Sequence, residues 1–438
     1  MHPRLFWFCV PLAALIPACT ARRGDSPDAA AASPPAIAPV GPCETVLIPH
    51  PGDSRADLAI RRFQELASRS GSSGAIERLA WVFIAKARES ADPGYYRLAE
   101  ECSRCLESRE PGSLAALLVR GHALLSLHRF REAEDAARAL IAKRSEPSPF
   151  DHGLLGDALM EQGKIAEALP AYETMLDLRP GLESYSRAAH VRWLRGDSSG
   201  ALDLYRLAAR ATSFSDPEPA AWVRSRIAAL ELESGAAERA ARVAREVLER
   251  LPGHAPSLFI CGKALLARGL ANEALASLRA CAAKNPLPEH LWALADALRM
   301  TGDEKGARAV EADLERSGAA EDRRSFSLYL ATRGKDVGEA LRLAEAELHD
   351  RADVHTQDAL AWALLASGRP SDASLRMEKA LSEGTRDPRL FLHAGAIEAE
   401  LGRVDAARGW FARADALCAA LLPSEADELR RRADRLPR

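Results

Sequence analysis

Small residues recur along this chain in a fixed phase, and that phase restricts the fold more than any other feature. The stretch Ala255 to Pro288 shows the unit: Gly262 stands at its eighth place, Gly269 at the fifteenth, Ala274 at the twentieth and Pro286 at the thirty-second. Eight further units start near Leu114, Pro149, Leu182, Ala221, Pro288, Ala320, Val354 and Pro388. Their eighth places are Gly121, Gly156, Ala189, Ala228, Ala295, Ser327, Ala361 and Gly395, all small. The twentieth place is Ala throughout, from Ala133 to Ala407, once a single extra residue ahead of Ala340 is allowed. The fifteenth place is Gly in every unit except the first, where His128 replaces it.

A repeat of about 34 residues is long enough for two helices and two turns. The eighth and twentieth places then mark where the first helix crosses the second, because a large side chain at either would push the axes apart. Gly at the fifteenth place ends the first helix in the left-handed conformation. Pro180, Pro252 and Pro286 stop second helices by removing a donor and clashing with the preceding turn. The extra residue between Gly334 and Ala340 predicts a bulged turn.

The pattern extends towards both ends. Ala75 to Arg88 and Tyr95 to Leu106 read as a degenerate first pair with a longer turn between them. Asp57 to Ser68, with Leu58, Ile60, Phe63, Leu66 and Ala67 on one face, reads as an N-terminal cap. Ser424 to Leu436 reads as a C-terminal capping helix with Ser424 at its N-cap and arginines in its later turns. An array needs such ends, since each unit carries an apolar face that it cannot cover alone. The 438 residues would otherwise suggest two or three globular domains. With 59 basic against 62 acidic residues the net charge is -3, which argues against a dedicated nucleic-acid binder.

The period and its marks resemble the tetratricopeptide repeat (TPR). The resemblance implies an all-α, right-handed superhelical α-solenoid of about ten helix-turn-helix repeats with a C-terminal capping helix. On that basis the chain divides into an N-terminal cap with a degenerate repeat (54–112), a TPR array (113–422) and a capping helix (423–438). In the family, the first helices line a concave groove into which places 2, 5, 9 and 12 project. Carried over, those places give Trp193, Trp222, Phe259, Lys263, Trp292, Asp296 and Arg299 as a partner-binding surface, with His122, Asp157 and His190 further up. The alternative for each aromatic is that it fills space between repeats. The Lys and Asn clamp of chaperone-binding members has no match here. The implied function is a non-enzymatic scaffold that binds a peptide or protein partner in the groove. The alternative is an assembly component acting through its ends or convex face.

The N-terminus has the marks of export. His2 and Arg4 precede the apolar run Leu5 to Ile16, too short for a membrane span. Ile16-Pro17-Ala18-Cys19 resembles the bacterial lipobox, which implies cleavage after residue 18 and lipid attachment to Cys19. Cleaved soluble export and a retained anchor are the alternatives. Thr20 after the Cys implies, by the same resemblance, an outer-membrane lipoprotein facing the periplasm. Residues 19–53, rich in Ala, Pro, Ser and Gly, read as a flexible tether.

No catalytic signature accompanies the repeats. GxSxG, HExxH and Gly-rich phosphate loops are missing from the sequence, and the histidines are scattered at roughly one per repeat. Cys102 and Cys105 form a lone CxxC in a helix, read as small apolar residues on a helix face. Cys261 and Cys281 read as buried free thiols, with a bridge between them as the alternative. No enzyme activity, metal, cofactor, nucleic acid or small-molecule substrate is expected.

Overall fold

The computed structural model describes residues 41–90, 92–212 and 217–437. The expected signal peptide (1–18), Cys19 and most of the expected tether lie outside the described residues. Among those described, every regular element is a helix. They fall into two compact units, 41–159 and 160–437.

The first unit holds α1 (Pro42–Val46), α2 (Arg55–Ser70), α3 (Ser73–Ser90), α4 (Gly94–Arg109), α5 (Leu114–Ser126) and α6 (Phe130–Lys143), and α7 (Pro149–Glu161) begins in it. The end of the expected tether, residues 41–53, is folded here rather than flexible. Cys43 is bridged to Cys105, and Val46 is fully buried. Gln64 of α2 donates to the carbonyls of Val46 and Ile48 at 3.0 and 2.6 Å and accepts from the amide of His50. Asp57 pairs with His50 and Lys86 at 2.8 and 3.1 Å, and the His50 hydrogen bond, ahead of burial, holds its carboxyl well below the usual range. The buried stripe of α2 is therefore Asp57, Ile60, Gln64 and Ala67, while Leu58 and Leu66 face solvent. The disulfide also corrects the reading of the CxxC: Cys105 is bonded to a distant partner, and Cys102 alone is a buried free thiol.

The second unit continues the alternation. Its first helices are α9 (Leu182–Leu194), α11 (Pro217–Glu233), α13 (Ala255–Ala267), α15 (Pro288–Met300), α17 (Arg323–Arg333), α19 (Val354–Ala366) and α21 (Pro388–Glu400). Its second helices are α8 (Ile165–Leu178), α10 (Ser198–Arg210), α12 (Ala237–Arg250), α14 (Ala271–Lys284), α16 (Glu304–Glu321), α18 (Val337–Asp350), α20 (Pro370–Leu381) and α22 (Val404–Asp415). A 3₁₀ turn (Cys418–Ala420) and α23 (Pro423–Asp434) complete the chain. With α3 and α4 as the degenerate pair, ten helix pairs follow one another, as an α-solenoid requires.

The marks read from the sequence have the expected geometry. The eight turn glycines take φ between +61° and +83°, and His128 adopts the same left-handed conformation at +60°. The extra residue after Gly334 is absorbed at Asp336, whose φ is +35°. A Cβ on Gly262 would lie 2.5 Å from Leu278, and one on Gly395 would lie 2.5 Å from the Phe411 ring. The one hydroxyl in the series, on Ser327, donates to the carbonyl of Ala340 across the crossing at 2.7 Å. Cys261 and Cys281 are buried free thiols.

This unit also closes on itself. The Thr385 hydroxyl donates to the Leu194 carbonyl at 2.6 Å, and the Ala352 amide donates to the Glu161 carbonyl at 3.0 Å. Trp193 of α9 stacks on His355 of α19 with ring centroids 5.6 Å apart. Early repeats of the unit thus touch late ones. No helix among the described residues is long and apolar enough to cross a membrane.

Candidate functional site

The wall formed by α11, α13 and α15 carries the aromatic residues singled out by their places in the repeat, and the chain covers that wall with its own C-terminal segment. Residues 418–420 pack on α11 and α13, and α23 packs on α15, α21 and α22. Leu421 and Leu422 are buried. Pro423 takes the first position of α23, so the helix starts earlier than a cap at Ser424 would allow. The N-terminal end is satisfied by Glu425, which accepts from the Leu422 amide at 2.8 Å.

Ser424, freed from capping, joins the wall instead. Its hydroxyl donates to Asp296 at 2.6 Å and accepts from the indole Nε1 of Trp292 at 2.8 Å, and its amide donates to Asp296 at 3.0 Å. Asp296 also accepts from Arg333 at 2.8 Å. Burial pushes the Asp296 carboxyl upwards from its ordinary value, against the pull of Arg333 and Ser424. Arg389 of α21 bridges two acids, Glu289 at 3.0 Å and Glu425 at 2.6 Å. Burial would raise Glu289, but Arg389 and Lys263 outweigh it and bring the carboxyl down to about 2. Asp296 and Glu425 are buried and depend on these partners, since an unpaired buried donor or acceptor costs about 1–3 kcal/mol.

A small polar cavity of about 110 Å³ remains under this segment, lined in part by Glu233, Lys263, Glu289, Asp387, Arg389 and Glu425. Burial raises Glu233 to about 7. Its carboxylate accepts from Nε1 of Trp193 at 2.6 Å.

The seven expected groove residues therefore have different fates. Trp292 and Asp296 come together around Ser424 of the same chain. Trp222 packs edge-on against Tyr205 of α10, so it fills space between repeats. Trp193 is sandwiched between His190 and His355, each ring centroid 5.6 Å away. Phe259 is covered by His290 at 4.6 Å, with the Lys263 ammonium 5.4 Å from its centroid. Arg299 turns to α16 and pairs with Glu311 at 2.6 Å. Lys263 and Arg299 are half-buried, and the other five are buried. Of the residues further up, His190 is half-buried, with loss of water around its ring holding it down to about 3, and His122 and Asp157 are buried. Ser424, Glu425, Arg333 and Arg389 complete the site, and nothing in their local sequence marks them. Among the described residues no group of three or more His, Cys, Asp or Glu is placed to hold a metal ion.

Comparison with known proteins agrees with the repeat geometry. The family model described as Tetratricopeptide repeat matches residues 118–183, 153–216 and 359–421, so those stretches carry such repeats. No curated protein matches the chain. Among solved structures the chain is similar to the APC/C hetero-tetramer Cut9-Hcn1, at 12% identity over 82% of this chain and 87% of that one, TM-score 0.41. It is similar to the human IFIT1 dimer with PPP-AAAA, at 13% identity over 83% and 86%, TM-score 0.47. Yeast Tom70 aligns at 12% identity over 86% and 97%, TM-score 0.33.

Proposed function

We propose that this chain is a non-enzymatic protein-interaction scaffold whose first-helix wall binds a peptide segment of a protein partner. The carrying observation is the seat already taken by Leu421 to Glu425: apolar side chains are buried, and Ser424 is held between Trp292 and Asp296. A wall that holds one extended turn and a helix start has the features by which a peptide is recognised in a groove, namely aromatic anchors with a few fixed polar partners. A partner segment of similar chemistry would take the place of the chain's own.

A chain ending at Leu417, offered a labelled peptide of residues 418–436, should bind it, and Trp292→Phe with Asp296→Asn should weaken that binding about tenfold or more. Fluorescence anisotropy reads the outcome. Equal binding by the double variant would sink the reading. If the shortened chain does not fold, the same two substitutions in the full chain should speed proteolysis between Leu417 and Pro423, and an unchanged rate would count equally against it.

We further propose export to a bacterial cell envelope, with Cys19 as the lipid-bearing residue. The apolar run Leu5 to Ile16 ahead of Cys19 supports this, and so does the Cys43–Cys105 disulfide, which suits an oxidising compartment. Mass spectrometry of the mature N-terminus decides the point: an unmodified Cys19 in envelope fractions overturns the anchor.

A further inference from the structure

A second concave surface of the 160–437 unit shares no lining residue with the cavity under the C-terminal segment. Between α10 and α12, over α11, a cleft of about 830 Å³ opens to solvent. From Ala201 to the next crossing residue, Ala228, the chain runs longer than between the corresponding residues of any other pair of units.

The cleft has an apolar floor and a basic rim. Leu202, Ala209, Ile227, Leu230 and Val243 form the floor. The rim carries Arg206, Arg210, Arg224, Arg239, Arg242 and Arg386, six arginines against three acids, Asp197, Glu231 and Glu246. This local excess of three positive charges stands in a chain whose net charge is -3. Two of the acids are already engaged. Glu231 is paired with Arg239 at 2.8 Å and Arg206 at 3.8 Å, and Asp197 accepts from Arg192 at 3.0 Å and from the Gly200 amide. Arg210, Arg242 and Arg386 are exposed and make no ion pair among the described residues.

We infer that this cleft is a docking site for an acidic amphipathic helix of a partner protein. Leucine-like side chains of that helix would cover the floor, and its Asp or Glu residues would meet Arg210, Arg242 and Arg386. Guanidinium groups suit this role because they pair with carboxylates through two parallel hydrogen bonds. The facing sides of α10 and α12 are each about 20 Å long, enough to flank roughly three turns of a partner helix. A nucleic acid fits less well. Among the described residues the lining contains no aromatic ring for bases to stack on.

The test uses the full chain and a fluorescein-labelled helical peptide of about three turns, with Leu on one face and Glu along its edges. Arg210→Glu with Arg242→Glu, both at exposed positions, should weaken binding at least about tenfold and flatten its dependence on salt. Replacing Glu by Lys in the peptide should abolish binding to the native chain. Trp292→Phe should leave binding unchanged, which separates this surface from the first-helix wall. Three results overturn the inference: no binding by the native chain, binding indifferent to the charge reversal, or tighter binding of a single-stranded oligonucleotide than of the Glu peptide.

Discussion

Two glycines show how one residue type serves unlike purposes. Gly395 has ordinary helical φ and is crowded, since a Cβ there would press on the Phe411 ring. Gly269 has open space around it and φ of +73°. Gly395→Ala should therefore act through packing and cost about 1–3 kcal/mol, less if the ring can shift. Gly269→Ala should act through the backbone and cost about 1–2 kcal/mol. Urea midpoints measure both, and a crowding origin predicts that relieving Phe411 by Phe411→Leu rescues the first variant and not the second. Residues of this kind were the legible part of the chain. Gly, Ala and Pro are chosen by local geometry, so their spacing can be read without knowing what the repeats touch.

At the scale of the helix, α11 illustrates what could not be read. Its last turn carries Glu233, which sits over the cavity under the C-terminal segment and accepts from Trp193. A free glutamate titrates near 4.5, and burial raises this one to about 7. The folded state thus holds a proton that the unfolded chain has released, so the stability associated with Glu233 is complete below about 4.5 and is lost as pH rises through about 7. Glu233→Gln keeps an acceptor for the indole and removes the titration. The difference in stability between variant and native chain should grow by about 2 kcal/mol from pH 5 to pH 8, in favour of the variant. Taking that difference matters because His190, held down to about 3, works in the opposite sense below about 6.5. Denaturation at the two pH values measures it, and a difference independent of pH would refute the assignment. The environment of Glu233 comes from helices remote in the chain, and no pattern around residue 233 foretells it. The same holds for the site: Trp292 and Ser424 are 132 residues apart. Repeat position alone separates neither Trp222, packed on Tyr205, nor Arg299, paired with Glu311, from the residues that meet Ser424, and whether the wall was open depended on a Ser and a Glu in a helix that looked like a plain cap.

At the scale of the whole molecule, the two units are held by different means. The 160–437 unit is tied by hydrogen bonds and ion pairs between distant repeats, while the 41–159 unit has a covalent tie closing a loop of 62 residues. A loop of that length restricts the unfolded chain by about 4 kcal/mol in the chain-entropy picture. Reduction, or Cys43→Ser, should destabilise α1 to α4 by up to about that amount. Hydrogen exchange should report it as lost protection in those helices, with that of α11, α13 and α15 unchanged. Unaltered protection of α1 to α4 after reduction would mean that the bridge contributes nothing to holding them. The folded start at Gly41 was missed for the reason that the groove's occupancy was missed. Its anchors, Cys43 and Gln64, act across long intervals, and the Ala- and Pro-rich composition before them gives no sign of where order begins.

The long interval in sequence between Ser424 and the wall residues it joins has a consequence for how the molecule is made. Repeats built from neighbouring contacts can fold in sequence as the polypeptide emerges, because most of what each needs has just been synthesised or is about to be. The wall of α11, α13 and α15 is different: Trp292 and Asp296 wait for a serine 132 and 128 residues further along the chain. Until then the Trp292 indole and the Asp296 carboxylate lack the hydroxyl that joins them. Emergence of Ser424 is thus the event that completes this contact, and a ribosome stalled shortly before it would hold an array in which Trp292 and Asp296 still lack that partner.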